Sequence, residues 1–338
     1  MTGARTTIVV VPRERFASAA DSLESIIATA GSQHALIYVD AGSPPAVARK
    51  LADAARRHDF TLIRTDRYLT PNQARNLALP MLTTKYVAFL DNDLVGMPGW
   101  LAAMENCAEE TDAAIVAPLI CIGRPVHTTI HHAGGTMRFV ERDGKRLFEE
   151  RHNLNWKPLE ANRDKLARGA TDMAEFHCVL VRTEVFARHG KLDEELMSTH
   201  EHIDLCLDVA RAGGKILFEP TAIVTYLPAK LKLNELPYFM LRWSDEWSRH
   251  TVSRFNAKWN AGDVHDQDHT ARFVWYHRGH GLPKLRKGAL ATAGWRLGNR
   301  IIDAVENTLA NVARRRFPGI GRDIPVSVVH APRPRAIL

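Results

Sequence analysis

The chain has no GxGxxG after its first β-branched run, no CxxC, and no H-E-x-x-H. Without the glycines, a dinucleotide-binding dehydrogenase is disfavoured, because its first turn needs them to approach a pyrophosphate. The four cysteines, Cys107, Cys121, Cys178 and Cys206, stand singly in apolar segments. Buried free thiols in a reducing compartment are expected. The string His200-Glu201-His202 continues into Ile203-Asp204, so the spacing of a zinc-protease helix is absent. No run of about 18 uncharged apolar residues is present, so no segment is expected to span a membrane. The amino terminus lacks the apolar core of a signal peptide, and a cytoplasmic location is expected.

What is present is ordinary globular material: 338 residues, 45 % hydrophobic and 25 % charged. That is room for one large core or two modest ones. The formal charge of +7 is uneven. Residues 281–338 carry eleven Lys/Arg against Asp303, Glu306 and Asp323, a net of +8, which leaves the remainder near −1.

The most informative stretch is 85–93, K-Y-V-A-F-L-D-N-D. An apolar run with β-branched and aromatic residues predicts a buried strand. It stops at Asp91-Asn92-Asp93. Two carboxylates one residue apart at the carboxyl end of a core strand repel each other, with no base adjacent in sequence. That edge is where open α/β sheets bind ligands. A hard divalent cation, Mn²⁺ or Mg²⁺, would relieve the repulsion and share substrate phosphates. The bland alternative is a strand end that caps the next helix.

Around it, strands and helices alternate. Residues 6–11 predict a first strand ending at Pro12, and 17–30 a helix. A second strand ends at V-D-A-G-S with Asp40 at its tip, and Ser43 is expected to cap a helix that starts at Pro44-Pro45. Residues 61–64 predict a third strand. Thr70-Pro71-Asn72-Gln73 reads as a capping box opening a helix with Arg75 and Asn76 in its first turns. The pattern implies a doubly wound, mostly parallel α/β sheet. Residues 137–148 predict a hairpin turning at Asp143-Gly144, and 175–181 a further strand. A helix starts near Glu201 and ends at Gly213-Gly214, and two short strands, 216–218 and 223–226, follow. Beyond residue 230 apolar residues recur at helical spacing over 234–259 and 283–317, and 324–338 reads as a loose tail.

Several stretches together resemble family 2 glycosyltransferases of the GT-A fold. They are T-I-V-V-V-P, V-D-A-G-S, A-R-N-L-A with V-A-F-L-D-N-D, and L-V-R-T-E-V-F … E-H-I-D-L-C-L … G-G-K-I-L-F-E-P, in that order over about the first 230 residues. The resemblance implies a GT-A domain over 1–230 and a helical extension over 231–338. It implies an inverting, metal-dependent transfer from a nucleotide diphosphate sugar, a UDP- or dTDP-sugar, to an unknown glycan, lipid-linked or small-molecule acceptor. Asp91 and Asp93 match the DxD pair that holds Mn²⁺ or Mg²⁺ against the donor phosphates. Pro12, Asp40, Arg75, Asn76, Asp91 and Asn92 would line the nucleotide-sugar site. The carboxylate of Asp40 suits a uracil or thymine imide, and the fork of Arg75 suits phosphates.

Three departures stand out. The strand-one proline is followed by Arg13-Glu14-Arg15, where many relatives have Tyr-Asn. The family's Glu-Asp pair reads Glu201-His202. Tyr226 stands where a histidine often follows the last core strand. The base is therefore Glu201, His202 or Asp204, with Glu201 preferred because it keeps a carboxylate in the pair. His202 has a suitable ordinary pKa. His131 and His132 either line the acceptor cleft or brace the turn at Gly134-Gly135. Two other readings share these residues: a nucleotidyltransferase on a similar sheet, and a nucleotide-sugar-binding module that has lost its base. The basic stripe over 283–317 is expected to pack on the catalytic domain or a second subunit, or to lie peripherally on the inner face of an anionic membrane. Nucleic acid is not expected, because aromatic residues are scarce among those charges.

Overall fold

The computed structural model describes residues 3–228, 230–261 and 264–332. The first half runs β1 (Thr6–Val11), α1 (Ala19–Thr29), β2 (His34–Ala41), α2 (Pro45–His58), β3 (Thr61–Thr65), α3 (Pro71–Ala78), β4 (Tyr86–Asp91), β5 (Leu94–Gly96), α4 (Trp100–Thr111) and β6 (Ile115–Ile122). The middle adds β7 (Ile130–His132), β8 (Gly135–Arg142), β9 (Lys145–His152), β10 (Gly169–Ala170), β11 (Cys178–Arg182), α5 (Glu184–His189), α6 (Glu201–Arg211) and β12 (Ile216–Tyr226). Then follow α7 (Leu236–Arg242), α8 (Asp245–Trp259), α9 (Val264–Gly279), α10 (Pro283–Arg314) and β13 (Ser327–His330).

The main sheet has the order β10-β12-β6-β11-β4-β1-β2-β3-β13. The strands β3, β2, β1 and β4 are parallel, and β11 is inserted antiparallel between β4 and β6. Along β1, Ile8 and Val10 enter one core while Val9 and Val11 enter the other. With both faces covered, the strand needs no polar alternation, which is why T-T-I-V-V-V reads as one apolar run. The hairpin β8–β9 turns at Asp143-Gly144, both at positive φ, as its sequence demands.

The capping box forms as expected: Thr70 accepts from the Gln73 amide and Gln73 accepts from the Thr70 amide. With Pro71 at the first position, it fixes where α3 starts and so where Arg75 points. Ser43 does not cap α2; its hydroxyl donates to Asp40 Oδ2 at 2.8 Å. The two short strands expected near the end of the sheet are one, β12, paired to β6 through an irregularity between Glu219 and Ile223.

The tail is not loose where it is described. Ser327–His330 adds to β3 as an antiparallel edge strand, while 333–338 lie outside the described residues. The long apolar pattern over 283–317 is not one rod. Gly294, at φ +69°, interrupts α10, and the two halves fold back on each other. Arg286 in the first half pairs with Glu306 in the second at 3.2 Å. A side chain at Gly298 would strike the Ala289 carbonyl oxygen at 2.8 Å, so only glycine allows the approach. The face turned inward is Gly298, Ile302, Glu306, Ala310 and Ala313, spaced as one side of a helix. Leu297, Ile301 and Val312 face out. Helix α7 and the start of α8 bury Tyr238, Phe239, Trp243 and Trp247 against Phe16, Tyr68 and Met197 of the sheet domain. All four cysteines are buried and free. No helix among the described residues is long and apolar enough to cross a membrane.

Candidate active site

The carboxyl end of β4 meets the carboxyl end of β1, with Val11 opposite Asp91. On the other side β11 runs antiparallel, and the Asp91 amide donates to the His177 carbonyl at 3.1 Å. This register draws Arg13, Asp91, Asp93 and His177 to one point of the sheet edge.

Asp91 is almost fully buried and surrounded by positive partners. Its Oδ2 lies 2.9 Å from His177 Nδ1 and 3.1 Å from Arg13 Nη1, and its Oδ1 lies 3.7 Å from Arg75 Nη2. Burial would raise its pKa, but Arg13, His177 and Arg75 outweigh that and hold it well below the usual range. Asp93, 1 % exposed, is the opposite case: neither carboxylate oxygen has a hydrogen-bond partner. Burial and the neighbouring Asp91 push its pKa well above the ordinary value. A buried, unsatisfied carboxylate costs free energy. Asp91, Asp93 and His177 offer ligand atoms within 4.8 Å of one another. Two carboxylates and an imidazole fit Mn²⁺ or Mg²⁺ by donor type, with positions left for phosphate oxygens.

The surroundings are charge-balanced by arginines. Arg75 is buried, stacked 3.6 Å from the Phe176 ring centroid, and donates to Asn72 Oδ1 at 3.0 Å. Burial lowers its pKa to about 10. Arg242, from α7, reaches Glu14 Oε2 at 3.2 Å and Glu201 Oε1 at 3.6 Å. Arg15 reaches Glu14 at 3.3 Å and the Tyr226 hydroxyl at 2.9 Å. Four arginines (13, 15, 75 and 242) thus face Asp91, Asp93, Glu14 and Glu201.

The other expected site residues divide. Pro12 is buried beside Arg13. Asp40 is held by the Ser43 amide and hydroxyl and by Arg64. Asn92 braces the strand-one loop instead of facing solvent, since its Oδ1 accepts from the Arg13 amide and its Nδ2 donates to the Arg15 carbonyl. Asn76 is fully spent on the 192–194 loop: it donates to Leu192 O and Glu194 Oε1 and accepts from Leu192 N.

The three candidate bases differ sharply. Glu201 is buried; burial would raise it, yet Arg242, Arg75 and His202 hold it below its ordinary value. His202 is half-buried, and burial lowers its pKa although Glu175, Glu201 and Glu150 face it. Asp204 accepts from Lys258 Nζ and Trp259 Nε1, both at 2.8 Å, which ties α6 to α8. Both of its carboxylate oxygens are engaged in these contacts.

Sequence reading missed His177 and Glu175. Both fall within the expected strand 175–181, but the strand proper starts at Cys178, and 176–177 form the turn that leads into it. His177 also packs beside Tyr226, with the two rings 4.4 Å apart.

The family described as "Glycosyl transferase family 2" matches residues 7–190. Among curated proteins, the chain is similar to the pre-mycofactocin glycosyltransferase of Mycobacterium tuberculosis in two strains, 28 % identical over 158 residues. The match covers 46 % of this chain and 30 % of each relative, so the chain spans under a third of the length of the curated relatives it matches. Among solved structures, GalNAc-T7 with UDP, GalNAc and Mn²⁺ superposes with a TM-score of 0.51 at 16 % identity, over 87 % of this chain and 58 % of that one. The fold is therefore of the GT-A type.

Proposed function

The chain belongs to glycosyl transferase family 2, and from that premise we propose that it transfers a sugar, with inversion, from a UDP- or dTDP-sugar to a hydroxyl acceptor. The observation that carries the proposal is Asp93, buried with both oxygens unpartnered beside Asp91 and His177. Asp91, Asp93 and His177 would hold a divalent ion, Mn²⁺ or Mg²⁺, which when bound would supply Lewis-acid neutralisation of charge on the departing diphosphate. Arg75 and Arg13 face the phosphates. The relative with UDP and Mn²⁺ supports this ion and donor class by fold likeness.

The acceptor oxygen bonds to the anomeric carbon as the bond to the diphosphate breaks. The acceptor's proton passes to a base and the electron pair leaves with the diphosphate. Glu201, clamped by Arg242 and Arg75, is a poor base, whereas His202 is neutral at physiological pH. We assign the base to His202 and the role of ordering it to Glu201. The catalytic unit is taken as 1–230, with 231–338 completing it through Arg242.

A thermal-shift panel of nucleotide sugars with and without Mn²⁺ should select a uridine or thymidine donor only with the ion. Release of free nucleoside diphosphate should follow. Pyrophosphate release would make the protein a nucleotidyltransferase instead. Donor binding without any turnover would make it a binding module.

The outward stripe of α10, Leu297, Ile301 and Val312 with Trp295 at 67 % exposure, is flanked by exposed Arg296, Arg300 and Arg315. Apolar and aromatic side chains beside cations suit an anionic bilayer surface, and a lipid-linked acceptor would be presented there. Full-length protein should sediment with phosphatidylserine vesicles, less so as salt rises, and Trp295→Ser with Leu297→Ser should abolish it. A protein that ignores vesicles but forms a dimer sensitive to the same substitutions would place a second subunit on this face instead.

A further inference from the structure

Glu175 stands at the entry to β11 between two pairs of histidines. Its Oε2 faces His131 Nε2 at 3.3 Å and His177 Nε2 at 3.9 Å. Its Oε1 faces His152 Nδ1 at 3.5 Å and His132 Nδ1 at 3.7 Å. Those two Nδ1 atoms are 3.4 Å from each other. Only the His177 side of this cluster belongs to the Asp91–Asp93 centre. The other side, His132 and His152 with Glu175, includes none of the groups assigned above to the donor or to the base.

We propose that His132, His152 and Glu175 form a second metal centre, selective for a zinc-type ion and separate from the Asp91–Asp93 centre. The first support is geometry. Zinc bonds of about 2.0–2.2 Å to nitrogen and oxygen, arranged tetrahedrally, put neighbouring ligand atoms roughly 3.3–3.6 Å apart. The triangle here has edges of 3.4, 3.5 and 3.7 Å. The second is donor type. Two imidazoles and one carboxylate are the His₂Glu set of zinc sites with an open fourth position, whereas the carboxylate-rich Asp91–Asp93 site suits harder ions.

The third support is readiness. His132 is fully buried on β7, which pairs with β6 and holds its ring in place before any ion arrives. On the outer side His152 Nε2 faces Glu150 Oε1 at 3.8 Å, the place where metal-bound histidines carry an orienting carboxylate. The three ligands come from β7, the end of β9 and the entry to β11. An ion there clips the β8–β9 hairpin, which is not hydrogen-bonded into the main sheet, to the floor of the cleft beside His202.

The test is titration of chelator-stripped full-length protein with Zn²⁺, and with Co²⁺ as a spectroscopic probe, in saturating Mg²⁺ to fill the carboxylate centre. One equivalent of Zn²⁺ should bind, and Co²⁺ should give the visible absorption of a tetrahedral site. His152→Ala and Glu175→Gln should weaken binding by about 100-fold or more, and Glu150→Gln by about 10–100-fold, the usual cost of losing an outer-shell partner. Asp93→Asn should leave it unchanged. His152 is partly exposed, so its variant is the one expected to fold, with circular dichroism as the check. No Zn²⁺ uptake overturns the proposal. So does a full equivalent retained by His152→Ala, or binding lost in Asp93→Asn. None of these readouts requires sugar transfer, so failure of the proposed activity leaves the test intact.

Discussion

Asp93→Asn should abolish transfer and stabilise the metal-free protein at once. Loss of the ion removes several kcal/mol of charge stabilisation from the departing diphosphate, which at about 1.4 kcal/mol per tenfold is a rate loss on the order of 10²–10³ or more. The stability change has the opposite sign. In the metal-free protein Asp93 has no partner and is repelled by Asp91, and the amide removes a buried charge without removing a hydrogen bond. The melting temperature should rise, and the rise on adding Mn²⁺ should vanish. The pH dependence follows the same sign. Because its folded pKa is raised, the stability Asp93 contributes is present below the ordinary carboxylate value and is lost as pH climbs through the raised one. Asp91→Asn should behave differently. It leaves buried Arg75, together with Arg13 and His177, without its counter-charge, and breaking a buried pair on one side costs about 3–5 kcal/mol. Normal turnover by Asp93→Asn, with Mn²⁺ stabilisation intact, would remove the metal assignment.

The contrast between the two aspartates was only half legible in the sequence. D-N-D after an apolar strand announces a pair of like charges at a sheet edge, because strand period and composition are local properties. Which one carries the counter-ions depends on β11 being inserted antiparallel beside β4, a non-local pairing that no short window reveals. His177 was missed for that reason. Asn76 and Asn92 show the same limit. Within their motifs they look like ligand contacts, and the structure adds that each also hydrogen-bonds to backbone groups more than 70 residues away. The turns of the α/β half, by contrast, were readable. The Thr70 capping box and the Asp143-Gly144 turn are set by φ preferences and short-range hydrogen bonds. The stripe over 283–317 misled because helical period cannot say which apolar face is inside. Gly294 breaks the helix, and the small residues Gly298, Ala310 and Ala313 pack inward where close approach is needed.

Arg242 shows why the C-terminal helices and the site form one problem. It is 2 % exposed and lies between Glu14, from the strand-one loop, and Glu201, from α6. An arginine from α7 thereby sets the electrostatics of both. The Arg13-Glu14-Arg15 departure is the other half of this arrangement. Glu14 pairs with Arg13 and Arg15 as well as with Arg242, and Arg13 reaches Asp91 from the same loop.

That clamp leads to the largest kinetic difference expected between neighbours. His202→Ala should lower kcat by about 10²–10⁴-fold, the usual worth of a general base, with donor affinity unchanged. In the parent protein kcat/KM should fall as pH drops through the His202 pKa, which burial sets below the ordinary histidine value. The base works only when neutral, so the rate is on a plateau at neutral pH and the acid limb disappears in the alanine variant. Glu201→Gln should keep the limb. Its cost should appear in stability, because Arg242 and Arg75 lose a buried counter-charge, and in a modest loss of rate through a less ordered His202. Measured pH profiles of both variants separate the two assignments. If the glutamine variant loses the limb while the alanine variant retains it, Glu201 is the base despite its arginines, and burial rather than the arginine field governs that carboxylate.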